Sequence, residues 1–213
     1  MTNMTKTTRA QFSSDQQASI RAAVSKAESR TSGEIVPLLV SQSDDYREAA
    51  AQAAVLIAAA LALVLALIIR DTSVWFFLPT SFVLYFPTLA AVRRLPKLKL
   101  AFTPAARVSE GVRQQALRVF YEKGLHRTRD ANGILIFISL LERKVWILGD
   151  RGINAVIPPE RWISLASALG SGIRQGQLTE ALVGVIAEMG DVLRQHFPSR
   201  HDDVNELPDL LGE

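Results

Sequence analysis

Two long apolar stretches in the first half of this sequence constrain its fold more than any other feature. Residues 49–69 and 72–92 are uncharged, contain 21 residues each, and are separated only by Arg70 and Asp71. Because an α-helix rises 1.5 Å per residue, about 20 apolar residues are enough to cross the hydrocarbon region of a bilayer. The sequence therefore predicts a hairpin of two transmembrane helices. The alternative is a hairpin buried in the core of a water-soluble protein.

The residues on either side of this hairpin (residues 49–92) are predicted to form one discontinuous domain. Residues 1–48 contain one predicted helix and one predicted strand, which bury too little apolar surface to fold alone. They are expected to dock onto residues 93–200, while residues 201–213 form an acidic tail. Both ends of the hairpin must then lie on the same side of the membrane, which two spans allow and one span does not.

The first 48 residues predict a helix followed by a strand. A helix is expected to begin near Asp15 with Ser14 as its N-cap. Glu34–Val40 is rich in β-branched residues, and Pro37 within it favours an edge strand or a bulge. The same helix–turn–strand order is echoed near residues 127–135, which predicts two halves of one sheet.

After the hairpin, the patterns predict a second helix–strand unit and two closing helices. Gly133–Ser139 is continuously apolar, as expected of a central strand. It is predicted to pair with Lys144–Leu148 through a turn at residues 141–143, whose tip, with Glu142, is expected to be solvated. The fold class is thus α/β, with a small mixed sheet sandwiched by helices. The remaining predicted elements are a helix beginning at Thr103-Pro104, an extended segment at Ile153–Ile157, and helices at about 160–173 and 179–196.

The charge distribution predicts how the hairpin is oriented. Residues 93–130 carry ten Lys and Arg against three acids, a net charge of +7, whereas residues 131–213 sum to −4. Basic residues next to a span are retained on the cytoplasmic side, where anionic headgroups attract them. We interpret this block as a topology signal rather than a nucleic-acid surface, because aromatic residues are sparse within it. The residues expected to contact lipid headgroups are Arg93, Arg94, Lys97 and Lys99.

The polar start of the sequence completes the topology prediction. Met1–Gln11 is polar and is followed by no apolar signal-peptide region. We therefore expect a multi-pass inner-membrane protein with both termini and the soluble part in the cytoplasm, and with the turn near residues 70–73 outside. The expected partners are the lipid bilayer and a membrane protein, with no nucleic acid.

The sequence contains no strong catalytic motif, and its few candidate site residues each have an ordinary structural alternative. Cysteine is absent, which excludes thiol nucleophiles and cysteine-ligated metals. Asp130 and Asn132 have the oxygen-rich spacing that opens many calcium loops, but Asx-Gly is also ordinary turn chemistry. Asp150 lies in a glycine-flanked turn at a strand end. His126 is either a loop residue before the central strand or a histidine at a helix C-terminus.

An ordered set of short motifs resembles the TPM-domain family, specifically a bacterial membrane-embedded branch. The motifs are Gly33-Glu-Ile-Val, Gly133-Ile-Leu-Ile-Phe-Ile-Ser139, Glu142-Arg-Lys-Val145, Gly149-Asp-Arg-Gly-Ile153 and Arg174-Gln-Gly176. The resemblance implies a small mixed sheet between helices. It also implies acidic loops that bind calcium, with Asp130 and Asp150 at the matching positions, and acid phosphatase activity has been attributed to plant relatives.

Two functional hypotheses follow, and they leave open whether the protein is an enzyme. The first is a non-enzymatic binding or assembly module for a membrane protein partner. The alternative is a weak metal-dependent phosphatase acting on phosphomonoesters. In the second hypothesis Asp150, Asp130 and His126 are the candidate catalytic residues, and Asp130, Asn132 and Asp150 are the candidate ligands for calcium.

Overall fold

The computed structural model describes residues 13–199, so the predicted acidic tail lies outside the described residues. The described chain divides into two compact units. One unit combines residues 13–43 with residues 111–199, and the other comprises residues 44–110. Residues 44–48 and 93–110, which the sequence assigned to the soluble domain, are therefore grouped with the apolar hairpin.

The first unit is built on a three-stranded mixed sheet, as the sequence predicts. Its strands are β1 (Glu34–Val40), β2 (Gly133–Ser139) and β3 (Lys144–Gly149), in the order β1-β2-β3. β1 pairs in parallel with β2, and β3 pairs antiparallel with β2. Every residue of the central strand β2 is buried, and Pro37 lies on the edge strand, where proline costs the fewest sheet hydrogen bonds.

Helices cover both faces of this sheet. One face packs against α1 (Ser14–Glu28), α7 (Pro159–Arg174) and α8 (Leu178–His196). The other packs against the part of α5 (Ala105–Glu122) that belongs to this unit, and against a short 3-10 turn at Leu125–Arg127. The alternation of β2 side chains explains both cores: Ile134, Ile136 and Ile138 face one layer, and Leu135 and Phe137 face the other.

Two local predictions are corrected by the structure. The N-cap of α1 is Ser13 rather than Ser14, because Ser13 and Gln16 form the reciprocal capping box. The segment predicted to be extended at Ile153–Ile157 is largely helical, as α6 (Arg151–Val156). The reason is that Asp150 caps this helix, and that the four-residue spacing of Ile153 and Ile157 buries both side chains on one helical face.

The second unit contains the apolar hairpin. Its helices are α2 (Arg47–Ile69), α3 (Val74–Arg94), the short α4 (Pro96–Ala101) and the beginning of α5. α2 and α3 pack against each other through a row of small side chains on α2, which allows the two backbones to approach closely. The buried members of this row are Ala50, Ala53, Ala54, Ala58, Ala62 and Ala66.

The outer surfaces of the hairpin are apolar and exposed. Both helices are long and apolar enough to cross a membrane, with mean hydropathies of 2.8 and 1.5 over the most apolar 18 residues of α2 and α3. Only 28% of the most apolar segment of α2 is buried, and none of the corresponding segment of α3. Large apolar side chains such as Ile68 and Trp75 are 73% and 89% exposed. Neither helix is therefore a buried core helix within the part of the chain that the structure describes.

Candidate functional site

The structure brings together the two loops that carry the predicted acidic residues. These paired loops are residues 130–133, which lead into the first residue of β2, and residues 149–152, which lead from the last residue of β3 into α6. The backbone N–H of Asp150 donates to the Gly133 carbonyl at 2.9 Å, and that of Gly152 donates to the Ala131 carbonyl at 3.0 Å. The antiparallel pairing of β2 with β3 causes this meeting, since it places the start of one strand beside the end of the other.

Gly152 is required where the paired loops touch. A Cβ atom on Gly152 would lie 2.7 Å from the Asp130 carbonyl oxygen and 2.8 Å from that of Ala131. Both obstacles are backbone atoms, which cannot rotate away as a side chain would. The second glycine of the Gly149–Gly152 motif therefore has a packing reason that is independent of any ligand.

Asp150 has one carboxylate oxygen engaged and one without a hydrogen bond. Oδ1 accepts the backbone N–H of Arg151 at 2.7 Å, as the cap of α6. Oδ2 is buried and has no hydrogen-bond partner among the described residues. An uncompensated buried carboxylate oxygen is costly, so Asp150 is the most distinctive group in the paired loops.

Asn132 is buried and held by hydrogen bonds within the protein, whereas Asp130 is half-buried. The Asn132 side chain is 3% exposed, and its amide donates to the Ser32 carbonyl, which ties the paired loops to the entry of β1. Its backbone N–H donates to Thr128 Oγ1 at 3.0 Å. Asp130 is half-buried. Within residues 13–199, no group of three or more His, Asp or Glu side chains is placed to hold a metal ion, and the proposed metal ligands stay a prediction.

His126 lies in the 3-10 turn at residues 125–127, directly after a left-handed Gly124 with φ of 75° that ends α5. The imidazole is half-buried, and its ring centre is 5.1 Å from that of Tyr121. Its Nδ1 is buried without a hydrogen-bond partner in the described part of the chain. This position follows the C-terminal end of α5, and a role for His126 in a site stays a prediction.

Glu142 is not the solvated hairpin tip that the sequence predicts. Its side chain is 8% exposed, and its carboxylate accepts the Ser139 hydroxyl and the Ser43 backbone N–H, the latter at 3.0 Å. Ser43 also donates its hydroxyl to Ser139 Oγ at 2.8 Å. The prediction was wrong because the β2–β3 turn meets the segment that follows β1, which lies about a hundred residues earlier in the sequence.

The predicted lipid-contacting residues differ in exposure. Arg93, Arg94 and Lys97 are exposed at the end of α3 and the start of α4. Lys99 is only 8% exposed, and its ammonium donates to the Asp45 carbonyl at 3.1 Å. Lys99 is therefore engaged by the protein itself, which removes it from the set available for headgroups.

A cavity of about 560 Å³ in the second unit was not predicted. It lies between the start of α2 and the residues that lead into α5. The sequence signal that could have indicated it is the charged run from Asp44 to Glu48. This run directly precedes an apolar stretch, as is typical of a segment at a membrane–water interface. The lining residues are Asp44, Asp45, Tyr46, Arg47, Glu48, Ala49, Gln52, Phe102, Thr103, Pro104 and Arg107.

The fold and the paired loops define a mixed α/β protein in which an apolar helical hairpin is inserted between β1 and β2. Residues 95–192 match the sequence model of the family described as TPM domain. This match confirms the predicted resemblance to the TPM-domain family over residues 95–192.

A solved structure shares the fold. The NMR structure of the BA42 protein from the psychrophilic bacterium Bizionia argentinensis is 23% identical, with a TM-score of 0.56. The match covers 93% of this chain and 92% of that one. No curated protein matches this chain.

Proposed function

We propose that this protein is an integral inner-membrane TPM-domain protein that acts as a non-enzymatic binding or assembly module for a membrane protein partner. Its hairpin spans the bilayer twice, and its sheet domain lies in the cytoplasm. The observation that carries this proposal is the exposed apolar surface on both helices of the hairpin.

The distribution of burial along α2 and α3 favours lipid as their surroundings. A core helix of a soluble protein would be largely buried, whereas these helices bury small residues toward each other and expose large apolar residues outward. A water-soluble monomer rarely exposes so large a contiguous apolar surface. A cleaved signal sequence is disfavoured, because β1, which precedes α2, forms a strand of the sheet.

The polar groups of α3 are arranged as a bilayer requires. Pro79 and Pro87 lie inside the helix and each removes one backbone donor. The hydroxyl groups of α3 are satisfied within the helix: Ser81 donates to the Phe77 carbonyl at 2.9 Å, and Thr88 donates to the Leu84 carbonyl at 2.6 Å. Proline inside a helix is tolerated in membrane-spanning helices, so Pro79 and Pro87 are compatible with a span.

The basic residues at the end of α3 support the cytoplasmic orientation. Arg93, Arg94 and Lys97 are exposed and follow the apolar segment directly. Each such residue gains about 1 kcal/mol near an anionic leaflet. At the opposite end of the hairpin, Arg70 is offset by Asp71, so the charge difference between the two ends favours this orientation.

Cysteine labelling in intact cells and inverted vesicles tests the topology. The sequence contains no cysteine, so Thr72→Cys and Ala106→Cys, both at exposed positions, each create a single site. A membrane-impermeant maleimide is expected to label Thr72→Cys only from outside and Ala106→Cys only in inverted vesicles. The reverse pattern would overturn the orientation. Labelling of both positions from one side would overturn the two-span topology.

In-membrane crosslinking tests the binding role. A photoreactive residue replacing Phe82, which is 66% exposed on α3, is expected to capture a membrane protein when irradiated in native membranes. The matched control replaces Ile163, a residue of α7 that is 69% exposed in the sheet unit. Capture of lipid alone at residue 82, without any protein adduct, would contradict the binding role at this surface.

A second candidate function is a metal-dependent phosphatase, and the unpaired Asp150 Oδ2 favours it. A buried carboxylate oxygen without a protein partner is available to a metal ion or to a reacting group. The purified protein would then hydrolyse a phosphomonoester in the presence of magnesium or calcium, and Asp150→Asn would abolish the activity. Equal activity in Asp150→Asn and the parent protein would exclude Asp150 from catalysis.

A further inference from the structure

We propose that the cavity at the base of the hairpin binds the headgroup of an amine-bearing phospholipid, such as phosphatidylethanolamine. This interfacial cavity, between the start of α2 and the residues leading into α5, has a volume of about 560 Å³, within the range of small-ligand sites. The inference rests on the proposed function, since only a membrane-spanning hairpin brings the cavity to a lipid headgroup.

The cavity lies at the boundary between charged and apolar residues of α2. Arg47 and Glu48 form the first turn of the helix, and the uncharged apolar segment begins at the next residue, Ala49. When α2 spans a bilayer, this boundary coincides with the headgroup region. Ala49 and Gln52 line the cavity on its membrane side, and Phe102 adds an apolar wall.

Two arginines of the cavity can bind a phosphate without losing their carboxylate partners. Arg107 contacts Asp44 at 3.0 Å, and Arg47 contacts Asp45 at 3.1 Å, each through one guanidinium nitrogen. The two arginine side chains are 49% and 78% exposed. Because a guanidinium carries five N–H donors, each arginine retains donors for the phosphodiester.

The remaining carboxylate of the cavity favours an amine. Glu48 is exposed and makes no hydrogen bond or ion pair with the residues that the structure describes. The lining therefore carries three carboxylates and two guanidinium groups, a net charge of −1. This balance disfavours an anionic headgroup. A zwitterion fits, with its phosphate at Arg47 or Arg107 and its ammonium at Glu48.

Glu48 also distinguishes an ethanolamine from a choline headgroup. A primary ammonium donates hydrogen bonds to a carboxylate, and charge-assisted hydrogen bonds are among the strongest in proteins. A quaternary ammonium has no N–H to donate and is larger. We therefore expect the cavity to prefer phosphatidylethanolamine over both phosphatidylcholine and phosphatidylglycerol.

Native mass spectrometry of the detergent-solubilised full chain tests this preference. Phosphatidylethanolamine, phosphatidylcholine and phosphatidylglycerol of the same acyl composition are titrated separately. We expect the affinity for phosphatidylethanolamine to be at least about fivefold higher than that for either other lipid, because only its ammonium donates a charge-assisted hydrogen bond to Glu48. Equal retention of the three lipids would overturn the inference without the need for any variant.

Glu48→Gln tests the residue assignment, with Glu160→Gln as its matched control. Glu160 is also an exposed glutamate in the first turn of a helix, but it lies in α7. Glu48→Gln is expected to reduce the preference for phosphatidylethanolamine to less than about twofold, whereas Glu160→Gln keeps it. An unchanged preference in Glu48→Gln, or an equal loss in both variants, would overturn the assignment.

Two further experiments distinguish a failure of this inference from a failure of the proposed function. Soluble phosphoethanolamine, offered at the same concentration, is expected not to displace the lipid, and displacement would overturn a lipid source. Alkaline washing of membranes tests the proposed function itself, because an integral protein stays in the pellet. Release into the supernatant would overturn both proposals. Retention in the pellet without any headgroup preference would overturn only this inference.

Discussion

The backbone N–H of Ser43 donates a 3.0 Å hydrogen bond to Oε1 of Glu142, although the two residues are 99 positions apart. Adjacent backbone bonds accompany it, from Leu140 to the Val40 carbonyl and from Leu141 to the Ser41 carbonyl. Together they fasten the end of β1 to the β2–β3 turn, at the point where the chain leaves the sheet. The discontinuous sheet unit is therefore closed at the site of the hairpin insertion.

Glu142→Ala is expected to destabilise the protein by about 2 kcal/mol, because it leaves the buried Ser139 hydroxyl and the Ser43 N–H without their acceptor. Thermal unfolding of the detergent-solubilised chain, followed by circular dichroism, measures the effect. Glu180→Ala, at an exposed position of α8, is the control and should change stability by less than about 0.5 kcal/mol. A loss no larger than that of the control would contradict a structural role for Glu142.

Gly152→Ala is expected to lower stability by about 1–3 kcal/mol, because the added Cβ would lie 2.7 Å from a backbone carbonyl oxygen of the facing loop. Gly184→Ala in α8 is the matched control, since nothing lies within 4 Å of its added Cβ. That change should stabilise the helix by up to about 1 kcal/mol. Chemical denaturation measures whether each variant has a lower or a higher free energy of unfolding than the parent protein. An unchanged free energy of unfolding in Gly152→Ala would mean that the paired loops separate at little cost.

Ala58→Leu is expected to disrupt the packing of α2 against α3. Ala58 is 1% exposed within the hairpin, so a larger side chain forces the helices apart at a cost of about 1–3 kcal/mol. Ala60→Leu places the same side chain at an exposed position of α2 and should be tolerated. The apparent melting temperature of each variant in detergent is the measurement. Similar melting temperatures for the two variants would argue against the packed hairpin.

Replacing Arg93, Arg94 and Lys97 together by glutamine is expected to weaken the orientation of the hairpin. Each charge contributes about 1 kcal/mol at an anionic surface, so their combined loss should yield a measurable inverted fraction. Labelling of Ala106→Cys from outside the cell reports that fraction. Arg174→Gln, at an exposed position of α7, is the control. An unchanged labelling pattern in the triple variant would mean that these bases do not set the topology.

Calorimetry with millimolar calcium or magnesium is expected to show no binding heat if the protein is solely a binding module. The described residues offer no group of three carboxylates or imidazoles for an ion. Binding that Asp150→Ala removes, but Asp71→Ala keeps, would instead favour the phosphatase hypothesis. Asp71 is a suitable control, because it is an exposed acid in the turn between α2 and α3.

The elements that could be predicted from sequence are those with a strong local pattern. The apolar hairpin, the buried run of β2 and the edge position of Pro37 each depend on residues close together in the chain. The errors arose where a local pattern was short. Ile153–Ile157 resembled a strand, but the cap from Asp150 and the burial of one helical face produce a turn and a half of helix instead.

The candidate site was only partly accessible to sequence reasoning. Asp130 and Asp150 could be selected as acids in glycine-containing turns, but their loops meet only because β3 returns antiparallel to β2. The burial of Glu142 and the engagement of Lys99 depend on partners, at Ser43 and Asp45, that are distant along the chain. No local pattern predicts which charged side chains such long-range contacts will bury.

The sequence by itself determined that this chain carries two apolar helices within an α/β domain and a basic segment directly after them, because hydropathy and charge are properties of neighbouring residues. Tertiary structure alone decided the parallel register in which β1, before the hairpin, pairs with β2, after it. It also decided which acids are buried and where a cavity opens beside the first apolar helix. The physical reason is that these outcomes depend on the packing of residues 54 to 99 positions apart, where burial and hydrogen-bond geometry outweigh local preference.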